Sequence, residues 1–269
     1  MNKVFKALVA VTLMTMAMLT VGCGNNNSNN QDTDHLEAVG TIMEEVAMEA
    51  VEAKDMKGEE VELRQDNSYD YVDLGLPSGT LWAVCNVGAT LPEEYGSYFT
   101  WGETEPKEVY DEKTYKYNDD ENYLTKYNLQ SYEGHNGFVD NLSILLPEDD
   151  AATANWGAEW RTPTKEEWEE LIENTTHAWT DQNEVGGRLF TGPNGNSIFL
   201  PAGGYQRCND EGEYEGLNWC FVNGCYWTSS IYRLSSSAAW NLSFGSSGCH
   251  VTNSYRVQGY AVRAVYSAK

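Results

Sequence analysis

Four histidines, six cysteines and 41 acidic side chains are spread over 269 residues, so the ingredients of acid–base, thiol and metal chemistry are all present. Their spacing does not assemble them. His35, His135, His177 and His250 stand far apart, and none falls within a hydrolase or metal motif. The acids come in runs, Glu148–Asp150 and Glu166–Glu170, which is the pattern of a solvated face. The best cation candidate is Asp210–Glu215, DEGEYE, where a glycine-containing acidic turn offers oxygen ligands of the kind calcium takes. It lacks the periodicity of an EF-hand. Zinc is disfavoured, because no CxxC pair occurs and His250 is a poor geometric partner for its neighbour Cys249. These residues assign no catalytic role and require no cofactor.

A second vocabulary is more informative. The stretch 224–241, GCYWTSSIYRLSSSAAWN, contains no His, Asp, Glu or Lys; hydroxyls, small residues and large aromatics dominate it, beside one Ile, one Leu, one Arg and one Asn. The chain holds nine Trp and 17 Tyr, more than a β-rich core of this length needs. Trp82, Trp101, Trp160, Trp168 and Trp227 read as core; Tyr205, Trp219, Tyr232, Trp240 and Tyr255 lie in or beside irregular stretches and read as exposed. Flat side chains with a polar tip give contact area at low entropy cost, and Ser and Asn add adaptable hydrogen bonds. In the C-terminal third, Leu242, Phe244, Val251, Val262 and Val265 recur at strand positions that face inward. The candidate ligand-binding face is the set between them: Tyr232, Ser236, Ser237, Trp240, Asn241, Ser243, His250, Thr252, Asn253, Tyr255, Val257 and Gln258. Such a surface suits a protein or the apolar faces of sugar rings.

The elements that must hold this face are short strands. Tyr69–Leu74 alternates, Gly75–Gly79 is a turn, and Thr80–Asn86 returns. Further strand candidates are Gly187–Thr191, Ser197–Leu200, Tyr226–Ser229, Ala239–Phe244, Cys249–Asn253 and Ala261–Val265. One helix is well marked: Thr164 caps it, Glu167 completes a capping box, and Trp168, Leu171 and Ile172 share the face that enters the core. Residues 102–150 are polar, aromatic and irregular, as in TYKYNDDENYLTKYN. A loop-rich stretch of that length is uncommon unless it is functional or packs on itself. The predicted class is α+β, with short antiparallel strands, few helices and long loops.

The N-terminus has a different task. Lys3 and Lys6 precede an apolar run, Ala7–Leu19, followed by Thr20-Val21-Gly22-Cys23, the layout of an export signal. TVGC resembles a bacterial lipobox, so 1–22 is expected to be removed and Cys23 lipidated, anchoring the protein without spanning the bilayer. Residues 23–35 are a flexible tether, with no apolar residue from Gly24 to Asp34. In 36–66, Leu36, Val39, Met43, Val46 and Ala50 form one helical stripe, a stalk or linker through which the chain could oligomerise. The main domain is 67–269. Removing the leader leaves 15 basic against 41 acidic residues, −26, a surface that repels phosphate backbones and excludes nucleic acid as a natural partner. Beyond Cys23, five cysteines remain, an odd number, so at least one stays free or pairs between chains.

Several motifs recur in a recognisable order: YVDLGLPSGTLWAVCNVGA (71–89), YGSYFTWGETEPK (95–107), LLPEDDAA (145–152), WGAEWRTPTKEEWEEL (156–171), TGPNGNSIFLPAGG (191–204), YWTSS (226–230) and GYAVRAV (259–265). Together they resemble the Fibrobacter succinogenes major paralogous domain family, found in surface lipoproteins of Bacteroidetes. The resemblance implies a C-type-lectin-like fold and an outer-membrane lipoprotein displayed at the cell surface. It also implies kinship with sulfatase-modifying (formylglycine-generating) proteins and with the variable proteins of diversity-generating retroelements, whose varied positions occupy the corresponding C-terminal part. Arg256 and Arg263 then belong to a recurrent framework rather than to the binding face. Calcium-dependent lectins carry EPN or QPD and later WND; here Gly192-Pro193-Asn194 and Trp240-Asn241-Leu242 lack the carboxylates. Formylglycine-generating enzymes use a reactive Cys pair, and no motif around Cys220 and Cys225 matches theirs. The functional expectation is a non-enzymatic binding or adhesion lipoprotein, with a structural or fimbria-associated subunit as the alternative and a formylglycine-generating-type oxidase as a remote one.

Overall fold

The computed structural model describes residues 69–208 and 214–267. The signal, the Cys23 lipidation site, the tether, the Leu36–Ala50 stripe and most of the Asp210–Glu215 turn lie outside the described residues. The compact unit runs from Asp66 to Lys269. It is mostly sheet with few helices, an α+β arrangement. No helix among the described residues is long and apolar enough to cross a membrane.

Two sheets make the frame. The first has four strands in the order β1 (Tyr71–Asp73), β2 (Leu81–Asn86), β14 (Arg263–Tyr266), β4 (Trp160–Arg161), so among the described residues the last strand lies beside the second. The second has five: β12 (Cys249–Tyr255), β11 (Ala238–Gly245), β10 (Asn223–Ile231), β13 (Tyr260–Ala261) and β3 (Tyr98–Phe99). A three-stranded meander, β5 (Thr176–Gln182), β6 (Val185–Thr191), β7 (Ser197–Pro201), and a hairpin, β8 (Tyr205–Cys208) and β9 (Tyr214–Asn218), flank them. The alternating runs read from sequence become strands because period-two patterning presents one apolar face to the core. The expected strand 261–265 is instead two, β13 and β14, which serve different sheets.

Two helices lie between strands, α1 (Ala151–Trp156) and α2 (Lys165–Asn174). The capping box at α2 is complete: Thr164 Oγ1 accepts from Glu167 N at 3.2 Å, and Glu167 Oε2 accepts from Thr164 N at 2.8 Å. Arg161 adds a forked ion pair to the same carboxylate, which holds Glu167 below the usual carboxylate range despite its burial. Trp168 and Leu171 are fully buried, as their spacing predicts; Ile172 packs at the margin. Asp150 caps α1, accepting from Ala152 N and Thr153 N, and also takes both donors of Thr162. Burial still pushes that carboxyl upward.

The core has two lobes. One gathers Trp101, Tyr115, Tyr127, Trp227 and Tyr260; the other Trp82, Trp168, Phe190, Leu242 and Phe244. All five tryptophans read as core are buried. Their indole N–H groups reach backbone acceptors in three cases: Trp101 to Thr228 O, Trp227 to Phe99 O and Trp168 to Trp227 O.

The irregular stretch packs on itself around one carboxylate. Asp149, 2 % exposed, accepts from the Tyr117 hydroxyl, from the Tyr127 hydroxyl at 2.7 Å and from the Lys116 and Lys126 ammonium groups. Desolvation opposes its charge, and these four donors outweigh it, bringing the carboxyl down to about 2. The same lysines lie over the Tyr117 ring, and Lys126 also over Tyr127. A run of polar and aromatic residues that looks unstructured in sequence is thereby ordered by a buried charge network.

Candidate functional site

A cleft of about 310 Å³ opens where this self-packed stretch meets the end of β12. Its walls are Glu112, Tyr115, Asn118, Asn122, Tyr123, Leu124, Tyr132 and Glu133 on one side, and Ser237, Tyr255, Arg256 and Val257 on the other. The loop wall is rigid at its base. Leu124 N donates to Glu133 O at 2.8 Å, His135 N to Leu124 O at 2.9 Å, and Thr125 N to Tyr117 O at 2.9 Å. Gly134 has no room for a side chain: a Cβ there would sit 2.0 Å from Phe138 O. Glu133 clamps the wall to the sheet, accepting from Ser235 Oγ and from Ser236 N, both at 2.6 Å.

Arg256 closes the floor. It is 0 % exposed, and its guanidinium donates to Tyr115 Oη at 2.8 Å, Tyr127 O at 2.9 Å, Ser236 O at 2.8 Å and Lys126 O at 3.3 Å. It also lies 5.1 Å from the ring centroids of Trp101 and Tyr115. No carboxylate among the described residues pairs with it within 4.0 Å. Burial pushes the Tyr115 phenol well above its ordinary value, so it stays a neutral hydrogen-bond bridge between Arg256 and Trp101 O. Above this floor the cleft presents exposed rings: Tyr123, Tyr132 and Tyr255 are 42, 72 and 64 % accessible.

The sequence-derived binding set does not form one face. Across the β11–β12 register, paired residues share a side of the sheet: Trp240 with Asn253, Leu242 with Val251 and Phe244 with Cys249 on one, Asn241 with Thr252 and Ser243 with His250 on the other. Adjacent residues such as Trp240 and Asn241 therefore point apart. Ser237, Tyr255 and Val257 line the cleft. Tyr232 and Trp240 meet edge to face at 5.0 Å, with Lys165 Nζ 5.0 Å above the indole, so this half-buried pair packs by the start of α2. Ser243, His250 and Thr252 lie on the opposite side of the sheet. Gln258, in the turn before β13, accepts from the Tyr260 hydroxyl there.

Two members of the set are buried rather than outward. Ser236 is 0 % exposed, because its hydroxyl accepts from Leu129 N at 2.8 Å and its carbonyl serves Arg256. Asn241, 1 % exposed, donates to Ser254 Oγ at 3.1 Å, and its Oδ1 has no partner among the described residues. The framework role expected of Arg256 and Arg263 matches their burial and bonding. The loop wall, Glu112 to Glu133, is not in the sequence-derived set. Its signal was the density of Tyr and Asn in an uncommonly long irregular stretch.

Among the described residues, the thiols and histidines form no reactive pair. Cys85, Cys220, Cys225 and Cys249 are all unbridged. Burial pushes Cys225 up to about 12 and Cys249 up to about 11, the reverse of what an attacking thiolate needs. His135 does meet Asp119, but its other ring nitrogen faces the Asn136 amide at 2.7 Å rather than a hydroxyl or thiol. No three His, Cys, Asp or Glu side chains converge among the described residues. No protein-family model, curated protein or solved structure matches the chain.

Proposed function

We propose that this chain is a non-enzymatic binding or adhesion lipoprotein, anchored through Cys23 to the outer membrane and displaying a C-type-lectin-like domain at the cell surface. The ligand seat is the cleft between the 112–133 wall and Ser237, Tyr255 and Val257. One observation carries the reading: exposed tyrosines from sequence-distant segments ring a cavity whose floor is fixed by a buried arginine. A domain that exposes large aromatics around a fixed concavity offers contact area with little entropy left to lose. The lipobox-like TVGC and the polar tether supply what an anchored, outward-facing domain needs. The placement of Ser237, Tyr255 and Val257 in the cleft also fits a C-terminal region open to diversification.

The test is adhesion by cells carrying the full chain, on panels of glycans and of host and bacterial surface proteins. Tyr255→Ala and Tyr132→Ala should abolish the strongest interaction, while Trp219→Ala, at an exposed aromatic outside the cleft, should leave it intact. Undiminished binding by both tyrosine variants would refute the cleft as the seat.

A further inference from the structure

The cleft's chemistry narrows its ligand. Its rim is aromatic, so it favours flat, partly apolar faces. Yet none of the Tyr123, Tyr132 and Tyr255 hydroxyls bonds to another described residue, and the Glu112 carboxylate is equally uncommitted among them. A purely apolar ligand would bury these groups unpaired, at a loss. The ligand must therefore carry hydroxyls or amides around an apolar face.

Its charge is restricted as well. Arg256 is the one cation in the lining, and its guanidinium is already committed to Tyr115, Tyr127, Ser236 and Lys126. The neighbouring Lys116 and Lys126 are held by Asp149. Two carboxylates, Glu112 and Glu133, face the same space, and among the described lining residues no uncommitted cation offsets them. An anionic ligand would meet repulsion and gain no charged partner. Carboxylates and the Asn118 and Asn122 amides suit hydroxyl donors instead. A volume near 310 Å³ is at the small end of ligand pockets, about 300–1,000 Å³.

We infer that the cleft is a seat for a neutral glycan unit of monosaccharide or disaccharide size, held by ring stacking on Tyr132, Tyr255 or Tyr123 and by hydroxyl donation to Glu112 and Glu133. This rests on the reading of the cleft as the binding seat. Among the described residues, no third carboxylate, Cys or His joins the lining acids.

The experiment is calorimetric titration of the full chain in detergent with cellobiose, lactose, mannobiose and chitobiose, with sialyllactose and a sulfated disaccharide as charged comparisons. At least one neutral disaccharide should bind, with affinity unchanged by EDTA and at least tenfold above that of its charged counterpart. Tyr255→Ala and Glu112→Gln should each weaken it tenfold or more, Tyr255→Phe only slightly, and Tyr232→Ala not at all. A preference for the charged sugars, loss of binding in EDTA, or no sugar binding at all would overturn the glycan assignment. If adhesion to a protein surface remained sensitive to Tyr255→Ala in those cases, the cleft would stand and only its ligand class would fall. Insensitivity of every interaction to Tyr255→Ala would remove both.

Discussion

Arg256 and Arg263 are chemically alike and structurally opposed. Both are fully buried and lack a carboxylate partner among the described residues, and both hold their charge with neutral acceptors. Arg263 lies within a strand and joins the two ends of the frame, donating to Asn86 Oδ1 at 2.8 Å, Ala83 O at 2.9 Å, Val84 O, and Phe199 O of the meander at 3.0 Å. Burial pulls it down to about 10, still charged at neutral pH. Arg256 follows a strand and reaches outward, fastening a polar, aromatic loop wall to the sheet edge. The same side chain thus builds scaffold in one place and a cleft in the other. Buried arginine here is a multi-armed backbone tie, with several fixed donors in one plane.

The largest effect should come from breaking the scaffold tie. Arg263→Met leaves three carbonyls and an amide oxygen without donors inside the core. At about 1–3 kcal/mol for each unsatisfied buried group, the loss rivals a domain's whole stability. The expected outcome is failure to accumulate folded protein, read by circular dichroism and proteolysis. If the Arg263→Met variant instead melted cooperatively within a few degrees of the parent, neighbouring strands would have re-paired without the tie.

Arg256→Met should separate the two roles. The frame is expected to survive, with a stability loss of about 2–4 kcal/mol from the carbonyls left bare. The loop wall should loosen, giving new protease cuts between residues 110 and 140 and loss of cleft binding. Equal damage to the frame, seen as rapid hydrogen exchange in β2 and β14, would erase the distinction between the two arginines.

A weaker tie of the same wall is pH-sensitive. Asp149 is held at about 2, below its ordinary 3.8, so its folded form binds protons less readily than the unfolded chain. Its contribution is present above about 4 and is lost as pH falls through 2. With Lys116 half exposed, solvent screening limits the effect to about 1–2 kcal/mol. Denaturant titrations from pH 5 to pH 2 should show this loss, and Asp149→Asn should be less stable at pH 5 but flatter with pH. An unchanged acid slope in that variant would remove Asp149 from the account.

These ties also mark how far the sequence could be read. The Thr164–Glu167 capping box, the core tryptophans and most strands follow from local spacing, because caps and pleats are decided within a few residues. The cleft does not. Ser236 is buried because Leu129 N, 107 residues away, needs an acceptor. Asn241 and Trp240 point apart because the register with β12 fixes which side each faces. Asp149 gathers tyrosines and lysines from 22 to 33 residues upstream, a convergence that no motif announces. Polar groups are placed by distant partners, so composition revealed a binding vocabulary and left its arrangement to the tertiary contacts.

The smallest stability effect belongs to the cleft's own rim. Tyr255 is 64 % exposed at the end of an edge strand, and its hydroxyl has no partner among the described residues. Tyr255→Ala should therefore shift stability by no more than about 0.5 kcal/mol, as exposed substitutions usually do. Glu133→Gln offers the contrast: it keeps the shape but weakens two charge-assisted bonds to Ser235 and Ser236, for about 1–2 kcal/mol. Paired denaturation and binding measurements on both variants distinguish a residue that faces ligand from one that holds the wall. Tyr255→Ala should lose binding at constant stability; Glu133→Gln should lose some of both. A Tyr255 variant as destabilised as the Glu133 one would make the tyrosine another tie, and the cleft's exposed rim part of the fold rather than its use.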